Sequence, residues 1–296
     1  MTQPKETKHL LLIRPDGTDP VEIATHLPPE QLHPDWSPDG SQLAFEHTPE
    51  GWAADVRDVW ISDANGDHAR PLVTKYPANL ERLWWANPAW SPDGTAIAMI
   101  GYKGNASTGL PARSVIVIVE VATGDISVVA DVAQTSGQLN SFPRWSPDGK
   151  ALVGTFDRFD GEEFTGTAIA VFRKTDTGWS TPTVITPFDD FASRPDWHRS
   201  KDLIVFSTNE ENDKPSNLYT IRPDGTELTP VTTFGPGGDR PSQPTWTPDG
   251  RIIFTYTRAT DGKKRPAFIN ADGSGLEVVN GPENLNLEHS RLRPIP

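Results

Sequence analysis

The chain has 296 residues, a net charge of −13, 29 Pro, 24 Gly, 10 Trp and no Cys. Without a thiol there is no disulfide frame, no Cys–zinc site, no iron–sulfur cluster and no cysteine nucleophile. The acidic balance argues against a nucleic-acid partner, which needs a cationic face, and no apolar run approaches the ~18 residues of a membrane span, so membrane insertion is not expected.

Residues 1–8 are polar, lack the apolar core of a signal peptide, and are expected to be a leader without regular structure. As the sequence stands, the expected location is cytoplasmic; a trimmed chain would be periplasmic or secreted. The first element predicted is a hairpin around Ile13-Arg14-Pro15-Asp16-Gly17, a turn matched residue for residue by Ile221-Arg222-Pro223-Asp224-Gly225. Related turns stand at Asp63–Gly66, Ala122–Asp125, Thr175–Gly178 and Ala271–Gly273, with β-branched residues flanking them as in Val115–Val121 and Ile126–Val129. Gly supplies the positive φ that such hairpin turns need. Asp63-Ala64-Asn65-Gly66-Asp67 also begins like a calcium loop, but Thr74 stands where the bidentate Glu belongs.

A second series interleaves with the first. Pro34-Asp35-Trp36-Ser37-Pro38-Asp39-Gly40 recurs around Trp90, Trp145 and Trp246, and in degenerate form around Trp197. The Trp spacings are 54, 55, 52 and 49. Each Trp is followed by a Ser-Pro-Asp-Gly turn or its remnant and then a short apolar stretch such as Leu43–Phe45 or Ile97–Ile100. Pro suits the first central turn position, Asp accepts from the turn backbone, and Gly takes the left-handed position. Two hairpins per ~50 residues, in tandem, are the arithmetic of a four-stranded propeller blade. The five anchor Trp are expected to be core.

The anchor, the apolar strand and the Ile-x-x-Asp-Gly turn resemble the WD-like repeat of TolB-like six-bladed β-propellers, over residues 9–296. The resemblance implies an all-β fold. It leaves function open, because the same repeat occurs in TolB, in propeller domains of prolyl-oligopeptidase-type peptidases and in oligogalacturonate lyases. The expected architecture is a single domain, 1–296, of four-stranded antiparallel blades. Six Asp/Gly turns but only five anchors imply a sixth blade split between residues 9–28 and 288–296, with one strand unaccounted for. Pro294 is expected to match the Pro two residues before each Trp.

The turns are short and repetitive, whereas the opposite loops are long and variable, so a site is expected at the channel mouth on that opposite face. Three residues before each Trp the sequence has His33, Asn87, Phe142, Arg194 and Gln243, with Arg293 expected to complete the column. With Arg291, these residues offer recognition of an anionic or carbonyl-bearing ligand. The competing reading is a filled channel whose Arg residues pair with Asp189, Asp190 or Glu288. Trp84 and Trp85 are adjacent in an entry loop and cannot both face one side of a strand, so one is a candidate platform; Trp52 is a weaker rim candidate. His33, His47 and His289 are candidate metal ligands, with Glu46 or Glu288 beside them, because oligogalacturonate lyases gather distant His residues over a propeller. Neither a Gly-x-Ser-x-Gly elbow nor a Gly-rich phosphate loop is present. The expected function is a binding or scaffold module for a peptide, protein or small polar ligand, with no cofactor and no assigned catalytic residue. The alternative is a carbohydrate-active lyase or hydrolase using metal or carboxylates at the same mouth.

Overall fold

A computed structural model of the chain describes residues 8–49, 57–80, 83–104, 111–133, 138–161, 163–209, 215–281 and 287–294. Five antiparallel sheets follow one another along it. Blade 1 comprises Gln31–Trp36, Gln42–His47, Asp58–Asp63 and Arg70–Pro71; blade 2 comprises Trp84–Trp90, Ala96–Gly104, Pro111–Glu120 and Ile126–Ala133. Blade 3 comprises Gln138–Trp145, Ala151–Asp160, Glu163–Thr175 and Gly178–Trp179, with Thr183–Val184 also paired to its third strand. Blade 4 comprises Ala192–Trp197, Ile204–Thr208, Leu218–Ile221 and Thr229–Pro230; blade 5 comprises Arg240–Trp246, Ile252–Thr257, Lys264–Ile269 and Glu277–Val278. The Trp-terminated strands of successive blades touch one another and ring the channel. The described residues contain no α-helix, only a 3-10 turn at Phe188–Asp190.

Each middle strand is buried on both sides, because a blade packs between two others. Its side chains therefore read as continuous apolar runs and sort by parity. In Ala96–Gly104, Ile97 and Met99 join a core with Ala44, Val59 and Ile61 of blade 1. The alternate residues Ala98 and Ile100 join Leu152 and Phe172 of blade 3. The same parity holds one blade on, where Val153, Ile169 and Val171 face Ile204 and Phe206 of blade 4.

The Ser-Pro-Asp-Gly turns are hydrogen-bonded units. Ser37 Oγ donates to Asp39 Oδ1 at 2.6 Å and accepts from the Gln42 amide at 2.9 Å, while Asp39 Oδ1 also accepts from the Ser41 amide at 3.0 Å. The same bonds recur at Ser91 with Asp93 and at Ser146 with Asp148. The Ser37 hydroxyl and the Ser41 groups hold the Asp39 carboxyl down at about 2. In the degenerate fourth repeat, His198 replaces the Ser and its Nδ1 accepts from the Ser200 amide at 3.1 Å.

The closing position contains a two-stranded sheet, Leu10–Leu12 with Val21–Ile23, and the segment 287–294. That segment forms no ladder. It is held by Leu287 N to Lys264 O at 3.1 Å, His289 N to Gln243 Oε1 at 2.9 Å and Arg293 Nε to Gly40 O at 2.8 Å. Five blades are thus complete and the sixth is partial. The register expected from Pro294 is corrected. His289, with φ 58°, takes the place of His33, Asn87, Phe142, Arg194 and Gln243, whose φ values lie between 46° and 56°. Ser290 rather than Pro follows His289, so alignment on proline misplaces the segment by four residues and puts Arg293 in the column. Leu292 holds the anchor position, and the Arg293 guanidinium instead lies 5.2 Å from the centroid of the Trp36 ring.

Candidate functional site

Every inner strand carries a bulge at its upper end, between Leu32 and Asp35, Ala86 and Ala89, Ser141 and Arg144, Ser193 and Asp196, and Ser242 and Thr245. The residue at each bulge is left-handed. A non-Gly residue there costs on the order of 1 kcal/mol. Because the conformation recurs in all blades, it belongs to the architecture and serves to turn one side chain per blade toward the mouth.

The side chains so placed differ in their commitments. Glu46, fully buried on the second strand of blade 1, is the hub. Its Oε1 stands 2.5 Å from His33 Nδ1 and accepts from the Asn87 amide at 2.8 Å and from Asn87 Nδ2 at 3.2 Å, and Arg57 reaches its Oε2 at 3.3 Å. Burial works against the charged form of Glu46, but His33, Asn87 and Arg57 outweigh it and hold its pKa below the ordinary value. Asn87 is consumed by this role and is 3 % exposed. The His33 and His289 rings meet edge to face with centroids 4.0 Å apart. Burial first, then the charges of His33 and Arg194, push the His289 pKa well down. The neutral ring accepts at Nε2 from the Gln243 amide at 3.1 Å, while Gln243 Oε1 accepts from Thr255 Oγ1 at 2.8 Å.

Arg194 stands apart from this web. Its guanidinium lies 4.6 Å from the centroid of the Phe142 ring. It forms no ion pair or side-chain hydrogen bond among the described residues. Burial lowers its pKa, and the carboxylates of Glu288 and Glu46 act in the other direction. Asp189 pairs with Arg158 at 3.0 Å and Glu288 bridges Lys8 and Lys264 at 2.8 and 2.7 Å, so neither forms a salt bridge with Arg194.

His33, Phe142, Arg194, Gln243, His289 and Arg291 share one cleft of about 30 Å³. The other predicted site residues lie elsewhere. Trp85 is 1 % exposed and stacks on Tyr76 at 4.8 Å, so it is core. Trp84, half-buried, lies 6.2 Å from Tyr102. Arg293 clamps the ring closure, and Trp52 falls outside the described residues. His47 packs edge-on against Trp60 at 4.9 Å and does not reach His33 or His289. The three candidate metal ligands therefore do not assemble; among the described residues no three His, Asp or Glu side chains stand together as metal donors.

Below the mouth lies a second ring that the sequence reading did not single out as a layer. Arg291 stands 3.7 Å from Asp35 Oδ1 and 3.5 Å from Asp196 Oδ1, and Arg144 stands 3.8 Å from Asp196 Oδ1. Asp35 and Asp196 use Oδ2 to accept the Trp90 and Trp246 amides at 2.8 Å. The signal was available, since Asp35, Arg144 and Asp196 each sit one residue before an anchor Trp. Under this layer the channel opens into a chamber of about 290 Å³ walled by the anchor Trp.

No protein-family model matches the chain. The chain is 29% identical over 159 residues to the uncharacterized peptidase YuxL of Bacillus subtilis (strain 168), a match covering 44% of this chain and 22% of that protein. Among solved structures it resembles a putative TolB from Agrobacterium tumefaciens with a TM-score of 0.63 at 19% identity, covering 85% of this chain and 80% of the other. It resembles an oligogalacturonate lyase in complex with manganese with a TM-score of 0.58 at 17% identity, covering 92% and 72%. A puromycin-hydrolyzing peptidase of Mycobacterium tuberculosis gives a TM-score of 0.58 at 17% identity, covering 92% of this chain and 43% of that one. At these identities the likeness is one of fold: the chain has the TolB-like propeller fold that these proteins share. No described helix is long and apolar enough to cross a membrane.

Proposed function

We propose that the chain is a binding module whose channel mouth receives an acidic group of a peptide, protein or small polar ligand. The observation that carries this reading is the Arg194 guanidinium, braced on Phe142 and without an anionic partner among the described residues. A planar guanidinium over an aromatic ring is preorganised for a carboxylate. The cleft beneath it, about 30 Å³, has little more than the volume of one water, so a ligand rests its acidic end on the mouth and keeps its body outside.

Calorimetric titration with N-acetyl-Ala-Ala-Phe and its C-terminal amide tests the reading. The free acid should bind and the amide should bind about tenfold more weakly, as expected for a charge-assisted bond. Arg194→Ala should abolish the difference while leaving the melting temperature within a few degrees. Equal binding of acid and amide, or no binding of either, would overturn it.

One observation favours an enzyme at the same mouth: His33 Nδ1 stands 2.5 Å from the buried Glu46 carboxylate, the pairing of residue types a general base uses. In that reading the chain cleaves a polar substrate such as a carbohydrate. Incubation with polygalacturonate and other oligosaccharides, followed by product analysis, should then give turnover that His33→Gln removes.

A further inference from the structure

The chamber on the turn-rich face is the larger of the two channel cavities, about 290 Å³ against about 30 Å³ at the mouth. For scale, an apolar cavity of about 150 Å³ accepts a benzene ring. Its walls are Trp36, Trp90, Trp145, Trp197 and Trp246, with Leu292 in the sixth place. Four of these indoles are 5–7 % exposed, so the blades hold them rigidly and leave only narrow apolar edges toward the chamber.

The charged layer forms the inner end of this chamber. Three cations, Arg144, Arg199 and Arg291, line it against two carboxylates, Asp35 and Asp196, although the chain as a whole carries −13. The cations are also unequal in their commitments. Arg144 donates through NH1 to the Pro88 and Pro143 carbonyls at 3.1 and 2.9 Å. Among the described residues Arg291 has only the two contacts of 3.5 and 3.7 Å to Asp196 and Asp35, which are too long for hydrogen bonds, and its side chain is 15 % exposed. A partly buried guanidinium whose donors no protein acceptor matches at hydrogen-bond distance is open to an anionic ligand. Burial, and repulsion from Arg291, lower the Arg144 pKa to about 10, as expected where positive charge is in excess.

The geometry points to a second binding site in this chamber, for a small carboxylate with a flat apolar body such as an arylalkanoic acid. The carboxylate meets Arg291 and the ring lies against the anchor indoles. Guanidinium and carboxylate match as a fork, and the ring gains offset or edge contacts with Trp. This inference does not rest on the mouth reading; the two sites are separated by the Asp35–Arg291–Asp196 layer.

The experiment is titration of the whole chain with 3-phenylpropionate and with 3-phenylpropanamide, followed by calorimetry and by intrinsic Trp fluorescence. The acid should bind with one-to-one stoichiometry and shift the fluorescence, and the neutral amide should bind at least about tenfold more weakly. Leu292→Trp, which fills the sixth place of the wall, should weaken the acid by at least about tenfold, whereas Arg194→Ala should leave it within about twofold. The acid–amide comparison on the unmodified chain stands even if Leu292→Trp fails to fold. Absence of saturable binding, or equal binding of acid and amide, would overturn the site. Loss of binding in Arg194→Ala with Leu292→Trp unaffected would also overturn it, and would assign the acid to the mouth.

Discussion

The two faces of this propeller solve the same geometric problem with opposite chemistry. On the turn face, Asp39, Asp93, Asp148 and Asp249 repeat in sequence and in bonding, and local hydroxyl or amide donors lower every one of their pKa values. On the mouth face, no two of the five complete blades carry the same residue in the column, and the carboxylates answer to burial. Burial raises the Asp58 pKa and takes that of Asp157 up to about 6. Glu46 escapes this only because its neighbours are cationic or donate. A face assembled from one repeated local bond is robust blade by blade, whereas a face assembled from cross-blade bonds stands or falls on single residues.

The largest test of that contrast is Glu46→Ala. Removing the hub strands His33, Arg57 and Asn87 in a buried place, and a broken buried pair costs about 3–5 kcal/mol. Chemical denaturation should show a loss of that size; a loss below about 1 kcal/mol would mean that the mouth is no more fragile than the turns. Next come two glycines in equivalent turns, Gly40 and Gly149, with φ of 67° and 68°. A Cβ on Gly149 meets nothing within 4 Å, but one on Gly40 would stand 2.3 Å from the Pro294 carbonyl. Gly149→Ala should cost about 1 kcal/mol from backbone conformation alone. Gly40→Ala should cost at least about twice that, because it also displaces the C-terminal segment. Equal costs would show that this segment gives the ring no support.

The smallest effect is one of pH. Folded pKa values depressed below the unfolded value stabilise above about pH 4 and lose that stability as pH falls toward 2, the window set by Asp39. Asp157 has the reverse sign. Its folded pKa of about 6 exceeds the unfolded ~3.9, so its burden appears as pH rises between those values. Asp157→Asn should therefore raise the melting temperature at pH 7 and change it little at pH 4. A gain of the same size at both pH values would contradict the assignment.

What was legible in the sequence follows the same division. The Ser-Pro-Asp-Gly and Asp-Gly turns act through contacts two to five residues apart, so their spacing alone located the five blades. The mouth column was legible as positions on the five complete blades, because His33, Asn87, Phe142, Arg194 and Gln243 each precede a Trp by three. Its bonding was not, since Glu46 meets Asn87 across 41 residues and two blades. The closing segment misled for a physical reason: its left-handed residue, His289, is followed by Ser, and the Pro that resembles the repeat, Pro294, packs on Gly40 instead. Four of the five anchor Trp are buried and Trp145 is half-buried, but a buried residue also walls whatever space the ring encloses, and that space is visible only in three dimensions.

The ring closure has a kinetic consequence. Lys8 meets Glu288 across 280 residues, whereas neighbouring anchors bond across about 50, as Trp246 does with Asp196. Joining the longer loop costs about 1.5 kcal/mol more chain entropy, and it is repaid at a thin seam. Among the described residues, only Ile253, Phe268 and Val279 form the buried apolar cluster on that side of blade 5. The five blades can therefore form early from local contacts while the ring stays open. The slow step in refolding, and the first in unfolding, is the meeting of the two ends, so deuterium exchange should be fastest at the Gly17–Asn280 contact.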